Sequence, residues 1–121
     1  MTLRDPDIRA PLLEYLHSLG HLTVTEFTTH DARADVVAIT DTDLVAYEIK
    51  SDVDTNARLS RQVESYDKVA TRLYLVTTAK KLPKMLPILP PWWGVLVATE
   101  TPSGVTFHEH LDARDNPAWL Q

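Results

Sequence analysis

The chain has 121 residues, 44% of them hydrophobic and 24% charged, and contains no cysteine. This suits one globular domain, 1–121, burying about two-thirds of its unfolded surface, and it excludes disulfide staples, thiol-zinc sites and thiol catalysis. The opening MTLRDPDIRA lacks the apolar core of a signal peptide, and no run reaches the roughly 18 apolar residues of a membrane helix. The expectation is therefore a soluble cytoplasmic domain with no membrane partner.

In chain order, Ile8, Leu12, Tyr15, Leu16 and Leu19 recur at helical spacing over 7–19, and Gly20 supplies a stop. Pro11 is expected close to the start of this helix, because a proline further in removes a backbone hydrogen bond. TVTEFTT then alternates as a strand. Two apolar strands follow at about 35–40 and 44–50, joined by a short turn of Asp and Thr. A helix is predicted from about 55 to 71, with Asp54 or Thr55 as its N-cap. LYLVTT at 73–78 reads as a short buried strand. The proline-rich KKLPKMLPILPPWW leads into GVLVATE and GVTFHEH, two strands around a Pro-Ser-Gly turn. The order α-β-β-β-α-β, then β-β, implies an α/β domain with a mixed sheet of five or six strands flanked by helices.

Charge is unevenly distributed. The net charge is −5, yet residues 57 to 84 carry 7 basic and 2 acidic side chains, whereas residues 1 to 56 carry 4 basic and 11 acidic. A nucleic-acid partner needs local positive potential rather than a basic average, and the middle of the chain provides it.

The stretch ARADVVAITDTDLVAYEIKSD places charge at the ends of the most apolar strands. If Thr40 faces Asp43 across a two-residue turn, Asp35 lies opposite Glu48; a three-residue turn shifts the register by one and leaves the two acids neighbours. Glu48 and Lys50, two apart, share a strand face. Two close carboxylates resist joint ionisation unless a cation intervenes, and magnesium takes one or two carboxylates plus waters and phosphate oxygens. On the next helix, Leu59, Val63 and Ala70 form the apolar stripe. Arg58, Arg61, Ser65, Lys68 and Arg72 fall within an arc of about 80° on another side. Gln62 and Tyr66 lie between stripe and arc, with Glu64 and Asp67 on the far shoulder. Arg58, Arg61, Lys68 and Arg72 are thus candidate nucleic-acid contacts.

Asp35, Glu48-Ile49-Lys50 and Gln62-x-x-x-Tyr66 together resemble the PD-(D/E)XK nuclease superfamily, whose restriction-endonuclease-like core has the αβββαβ order. The Gln-x-x-x-Tyr element is similar to that of its RecB-type exonuclease branch. The longer pattern RADVVAI…YEIKSDVDTNARLSRQVESYDKV…LYLVTT…PPWWGV resembles a poorly characterised family of short bacterial and phage members, over about 22–97. Ala34 stands where the name of the motif has proline. The resemblance implies that Asp35, Glu48 and the Ile49 carbonyl bind magnesium or manganese, that Lys50 orients the attacking water, and that Gln62 and Tyr66 complete the catalytic set. The function so implied is a metal-dependent nuclease acting on DNA, alone, as a homodimer or in a larger complex. The alternative is a binding module that kept the fold without turnover. Glu26, on the first strand, is a candidate third acidic ligand. His108-Glu109-His110 is compatible with zinc but reads first as a polar edge strand. Trp92-Trp93 reads as a packing corner, with base stacking as the alternative.

Overall fold

The computed structural model describes residues 1–29 and 33–119. The single-domain expectation also takes in 30–32 and 120–121, which lie outside the described residues. Helix α1 (Asp5–Ser18) is followed by strands β1 (Leu22–Thr28), β2 (Arg33–Ile39) and β3 (Leu44–Lys50). Helix α2 (Leu59–Tyr66), strand β4 (Arg72–Thr78), a helical turn α3 (Leu82–Met85), and strands β5 (Gly94–Thr101) and β6 (Gly104–Leu111) complete the order.

Helix α1 starts where Asp7 accepts the Arg4 N–H at 2.9 Å, and Asp5 and Asp7 place negative charge at the positive end of the helix dipole. It stops in a Schellman arrangement: Gly20 has φ of 81°, and its N–H and that of His21 bond the His17 and Leu16 carbonyls. The start differs from expectation, since Pro11 sits inside the helix rather than beside its first residue. Ile8, Leu12 and Leu16 anchor this helix by full burial against the sheet, which outweighs the backbone bond that the proline removes.

The six strands form one mixed sheet in sequence order. β1-β2-β3 is an antiparallel meander, β3-β4-β5 is parallel, and β6 returns antiparallel. The β2–β3 register pairs Ile39 with Leu44 and Val36 with Tyr47, the two-residue-turn alternative. Thr40 and Asp43 close this turn through a backbone bond of 3.0 Å and a 2.9 Å bond from the Asp43 N–H to the Thr40 hydroxyl. The sheet separates two cores. One holds α1 against Val36, Val45, Tyr47 and Ile49, and the other holds α2 against Val37, Ala46, Leu75 and Trp93. β3 is therefore covered on both faces, which is why it reads as a continuous apolar run.

Helix α2 is shorter at both ends than predicted. Asp54 does not cap it: its Oδ2 accepts the Ser51 N–H and hydroxyl at 2.8 and 3.0 Å, and the Thr55 hydroxyl accepts the Ala57 N–H. Arg58 takes the N-cap position without a side-chain bond. At the other end, Asn116 Nδ2 donates to the Asp67 and Ala70 carbonyls at 2.7 and 2.9 Å and holds the chain out of helix. The C-terminal closure thus uses a partner far outside the helix.

Candidate active site

Regular pairing is interrupted at Asp35. The β1–β2 ladder pairs Thr25 with Val36 and Phe27 with Ala34 but skips the position where Glu26 faces Asp35, and the β2–β3 ladder ends at Val36–Tyr47. Glu26 has φ of 53°, a left-handed conformation uncommon for a residue with a Cβ. Across this distortion the strand's alternation slips: Ala34 and Val37 pack on the α2 side although three positions apart, while Val36 and Ala38 face α1.

The Asp35 backbone is turned out of the sheet plane. Its N–H donates to the Tyr66 hydroxyl on α2 at 2.9 Å, and its carbonyl accepts from Arg9 Nη1 on α1 at 3.1 Å, on the opposite face. The side chain consequently lies toward β3, where Oδ2 accepts the Ile49 N–H at 2.9 Å. A carboxylate thus occupies the place of the next ladder partner. In an extended strand the N–H and C=O of one residue face the same neighbour, so the Ile49 carbonyl points toward the Asp35 side as well.

Glu48 and Lys50 alternate with Ile49 and share the α2 side of β3; they are only 4% and 7% exposed. The Tyr66 hydroxyl that accepts from Asp35 donates to Glu48 Oε1 at 2.9 Å, so one phenol ties both acids together. Burial, then the Asp35 charge, push the Glu48 carboxyl up to about 8, against the opposing pull of Lys50 and the Tyr66 bond. Without a cation, Glu48 favours its protonated form at neutral pH. Burial and the adjoining carboxylates push the Tyr66 hydroxyl well above its ordinary range, so it stays a neutral donor. Lys50 makes no ion pair among the described residues.

Tyr66 is held from behind. Its ring is 5.9 Å from that of Trp93, and the Trp92 and Trp93 indole N–H groups both donate to Asp67 Oδ1 at 3.0 Å. The tryptophan pair is thus a packing corner, and Trp93 is buried. Tyr66, expected on the shoulder of the helix, is itself almost fully buried and continues the Leu59–Val63 stripe. Gln62, one turn earlier, has a buried Oε1 with no partner among the described residues.

Other expectations need correction. Glu26 lies beside Asp35 in the sheet, but its carboxylate pairs with Arg9 at 3.2 Å and with Arg33, and the described residues contain no cluster of three acidic or histidine ligands. The Glu26 carboxylate is thus taken up by the two arginines. The basic stripe is not continuous, because α2 ends at Tyr66: Lys68 falls in the following turn and Arg72 opens β4. Arg72 is bound at its own end of the sheet by Asp43 at 3.6 Å, Asp115 at 3.0 Å and the Ala113 carbonyl. Arg58, Arg61 and Lys68 are exposed, but only Arg58 and Arg61 line a common depression, and Glu64 lines it too rather than the far side. On β6, His108 and His110 are exposed on an edge strand, and Glu109 accepts the Tyr74 hydroxyl at 2.5 Å.

Arg9 was not singled out by the sequence. It contacts Asp5, Glu26 and Asp35 at 2.7, 3.2 and 3.5 Å, and the Asp5 bond foremost, then its other acidic neighbours, raise its pKa further. Its one legible signal is the i,i+4 spacing from Asp5, which is common on helix surfaces.

Residues 1–120 match the family model described as bacteriophage P4 protein cII. The chain belongs to the bacteriophage P4 protein cII family. No curated protein and no solved structure matches it. The description of the family carries no chemistry, and the Asp35, Glu48, Lys50 and Tyr66 geometry is what this member offers. No helix among the described residues is long and apolar enough to cross a membrane.

Proposed function

We propose that this member of the family is a metal-dependent nuclease of the PD-(D/E)XK type, with DNA as the substrate class. One observation carries the reading: a buried Glu48 and an Asp35 turned out of its strand share the Tyr66 hydroxyl at one sheet edge, where Lys50, without an ion pair among the described residues, lies on the same strand face as Glu48. A fold seeking stability alone would fill that space with apolar side chains, since an excess buried carboxylate costs free energy.

The donors fit a hard divalent cation. Two carboxylates and the Ile49 carbonyl suit magnesium or manganese, which complete their shells with water and phosphate oxygens. When bound, such an ion supplies an acidified water and neutralises charge on the phosphate. Asp35 and Glu48 are the anionic ligands. The Lys50 ammonium stabilises charge developing on the phosphate and orients the attacking water. Tyr66 fixes the separation of the two acids, and the free Gln62 Oε1 is an acceptor for a bound water. Arg9 holds Asp35 from the opposite face.

A second reading rests on Arg9, which already supplies positive charge to Asp35 at 3.5 Å; in that case the fold is a binding module without turnover. A cleavage assay separates the two. Wild-type protein is incubated with single-stranded, duplex and flap DNA in magnesium, manganese or EDTA. Metal-dependent cleavage that Glu48→Gln and Lys50→Ala each abolish, with the fold retained, supports the nuclease. Cleavage by both variants at the wild-type rate, or none by the wild type on any substrate, refutes it.

A further inference from the structure

The parallel pairing of β3 with β4 brings Lys50 opposite Thr77, so the segments leaving both strands emerge at one edge. β2, antiparallel to β3, begins there with Asp35 near its start. Ligands of open α/β sheets settle at the carboxyl ends of parallel strands. Five basic side chains gather on the two emerging segments: Arg58 and Arg61 after β3, and Lys80, Lys81 and Lys84 after β4. None of the five makes an ion pair among the described residues.

The segments are physically joined. Asn56 Nδ2 donates to the Lys84 carbonyl at 3.2 Å. Lys81 and Lys84 face Asp54, Thr55 and Asn56 across a pocket between the segments. A second depression, walled by Arg58 and Arg61, continues the first along the same stretch of chain. The neighbouring acids are partly committed to local bonds. Asp52 accepts the Leu3 N–H at 2.8 Å and the Thr78 hydroxyl at 2.7 Å, and Asp54 accepts from Ser51. Five cations against Asp52, Asp54 and Glu64 leave these two segments net positive in a chain whose total is −5.

We propose that Lys80, Lys81 and Lys84, together with Arg58 and Arg61, form a track for the phosphate backbone of a nucleic-acid strand, deepening the nuclease reading on which it rests. The track leads along the sheet edge to Lys50, Glu48 and Asp35. It contains none of the base-reading geometry of a groove-inserted helix, so it supplies affinity without sequence preference. It also replaces the helical stripe: Lys68 and Arg72 lie away from it, Arg72 at the opposite end of β4.

The test measures binding apart from cleavage. Fluorescein-labelled single-stranded DNA and its duplex are titrated with wild-type protein, the double variant Lys81→Ala/Lys84→Ala, and Arg114→Ala, in EDTA over a salt series. Each lost phosphate contact at about 0.1 M salt costs roughly eightfold in affinity and flattens the log–log salt slope by about 0.7 to 0.9. The double variant should therefore bind about 50-fold more weakly, with a slope shallower by about 1.5. Arg114→Ala, which removes the same kind of charge beyond the far end of β4, should bind as wild type. Wild-type affinity and slope in the double variant overturn the track, as does failure of the wild type to bind DNA. If the wild type cuts DNA in magnesium while the double variant binds normally, the nuclease reading stands and the track falls. If the double variant loses binding but the wild type never cuts, the track stands and the nuclease reading falls.

Discussion

Replacing Glu48 by Gln tests whether the site stores an uncompensated charge. The folded carboxyl titrates at about 8 against an ordinary 4.5, because it is buried beside Asp35. Below about pH 4.5 it is protonated in both folded and unfolded chains and no penalty arises. As the pH rises, the unfolded chain ionises first while the folded one keeps its proton, so stability falls until about pH 8 and then levels. At about 1.4 kcal/mol per unit, the loss reaches about 3 kcal/mol at pH 7, little screened because Glu48 is 4% exposed. That is a large share of a stability typically of about 5–15 kcal/mol. A Gln amide reproduces the protonated acid: its oxygen accepts from Tyr66 and its NH2 donates to Asp35. Urea unfolding in EDTA at about pH 5, 6, 7 and 8 should show the wild type losing stability relative to Glu48→Gln, with the gap widening by about 3 to 4 kcal/mol over the series. Taking the difference between the two proteins cancels the histidines. Parallel curves would show that Glu48 ionises normally and remove the electrostatic argument for a cation at this site.

Three further outcomes follow from the same contacts. Magnesium or manganese at about 100 times its dissociation constant should stabilise the wild type by about 2.7 kcal/mol and raise its Tm, but should hardly move Asp35→Asn; equal shifts in a thermal melt would strike Asp35 from the ligands. Tyr66→Phe should cost about 1–3 kcal/mol in equilibrium unfolding, because the Asp35 N–H loses its acceptor and Glu48 its donor; an unchanged urea midpoint would mean that the phenol bridge contributes nothing. Asn116→Ala should cost about 2–3 kcal/mol by leaving the Asp67 and Ala70 carbonyls without their donor, and should speed amide exchange at the end of α2; unaltered exchange there would show that the helix stops for another reason.

Local pattern determined much of this protein. The β2–β3 turn, the closeness of Asp35 to Glu48 in either register, the shared face of Glu48 and Lys50, and the order of elements along the chain all follow from short-range periodicity and turn chemistry, whereas the register itself was fixed only by the folded pairing of Ile39 with Leu44. What only the tertiary structure decided came from partners distant in sequence. Asn116 stops α2 at Tyr66 from 49 residues away on the chain, measured from Asp67, and so divides the basic stripe that a longer helix would have carried. Arg9 reaches Asp35 across 26 positions and pairs with the Glu26 carboxylate as well. The Trp92–Trp93 corner seats Tyr66, and the parallel pairing of β3 with β4 carries Lys80, Lys81 and Lys84 to the edge where Lys50 ends. Helix periodicity can place a side chain on a face, but where the helix ends, and which edge of the sheet a loop reaches, depend on contacts that form only when the whole chain is packed.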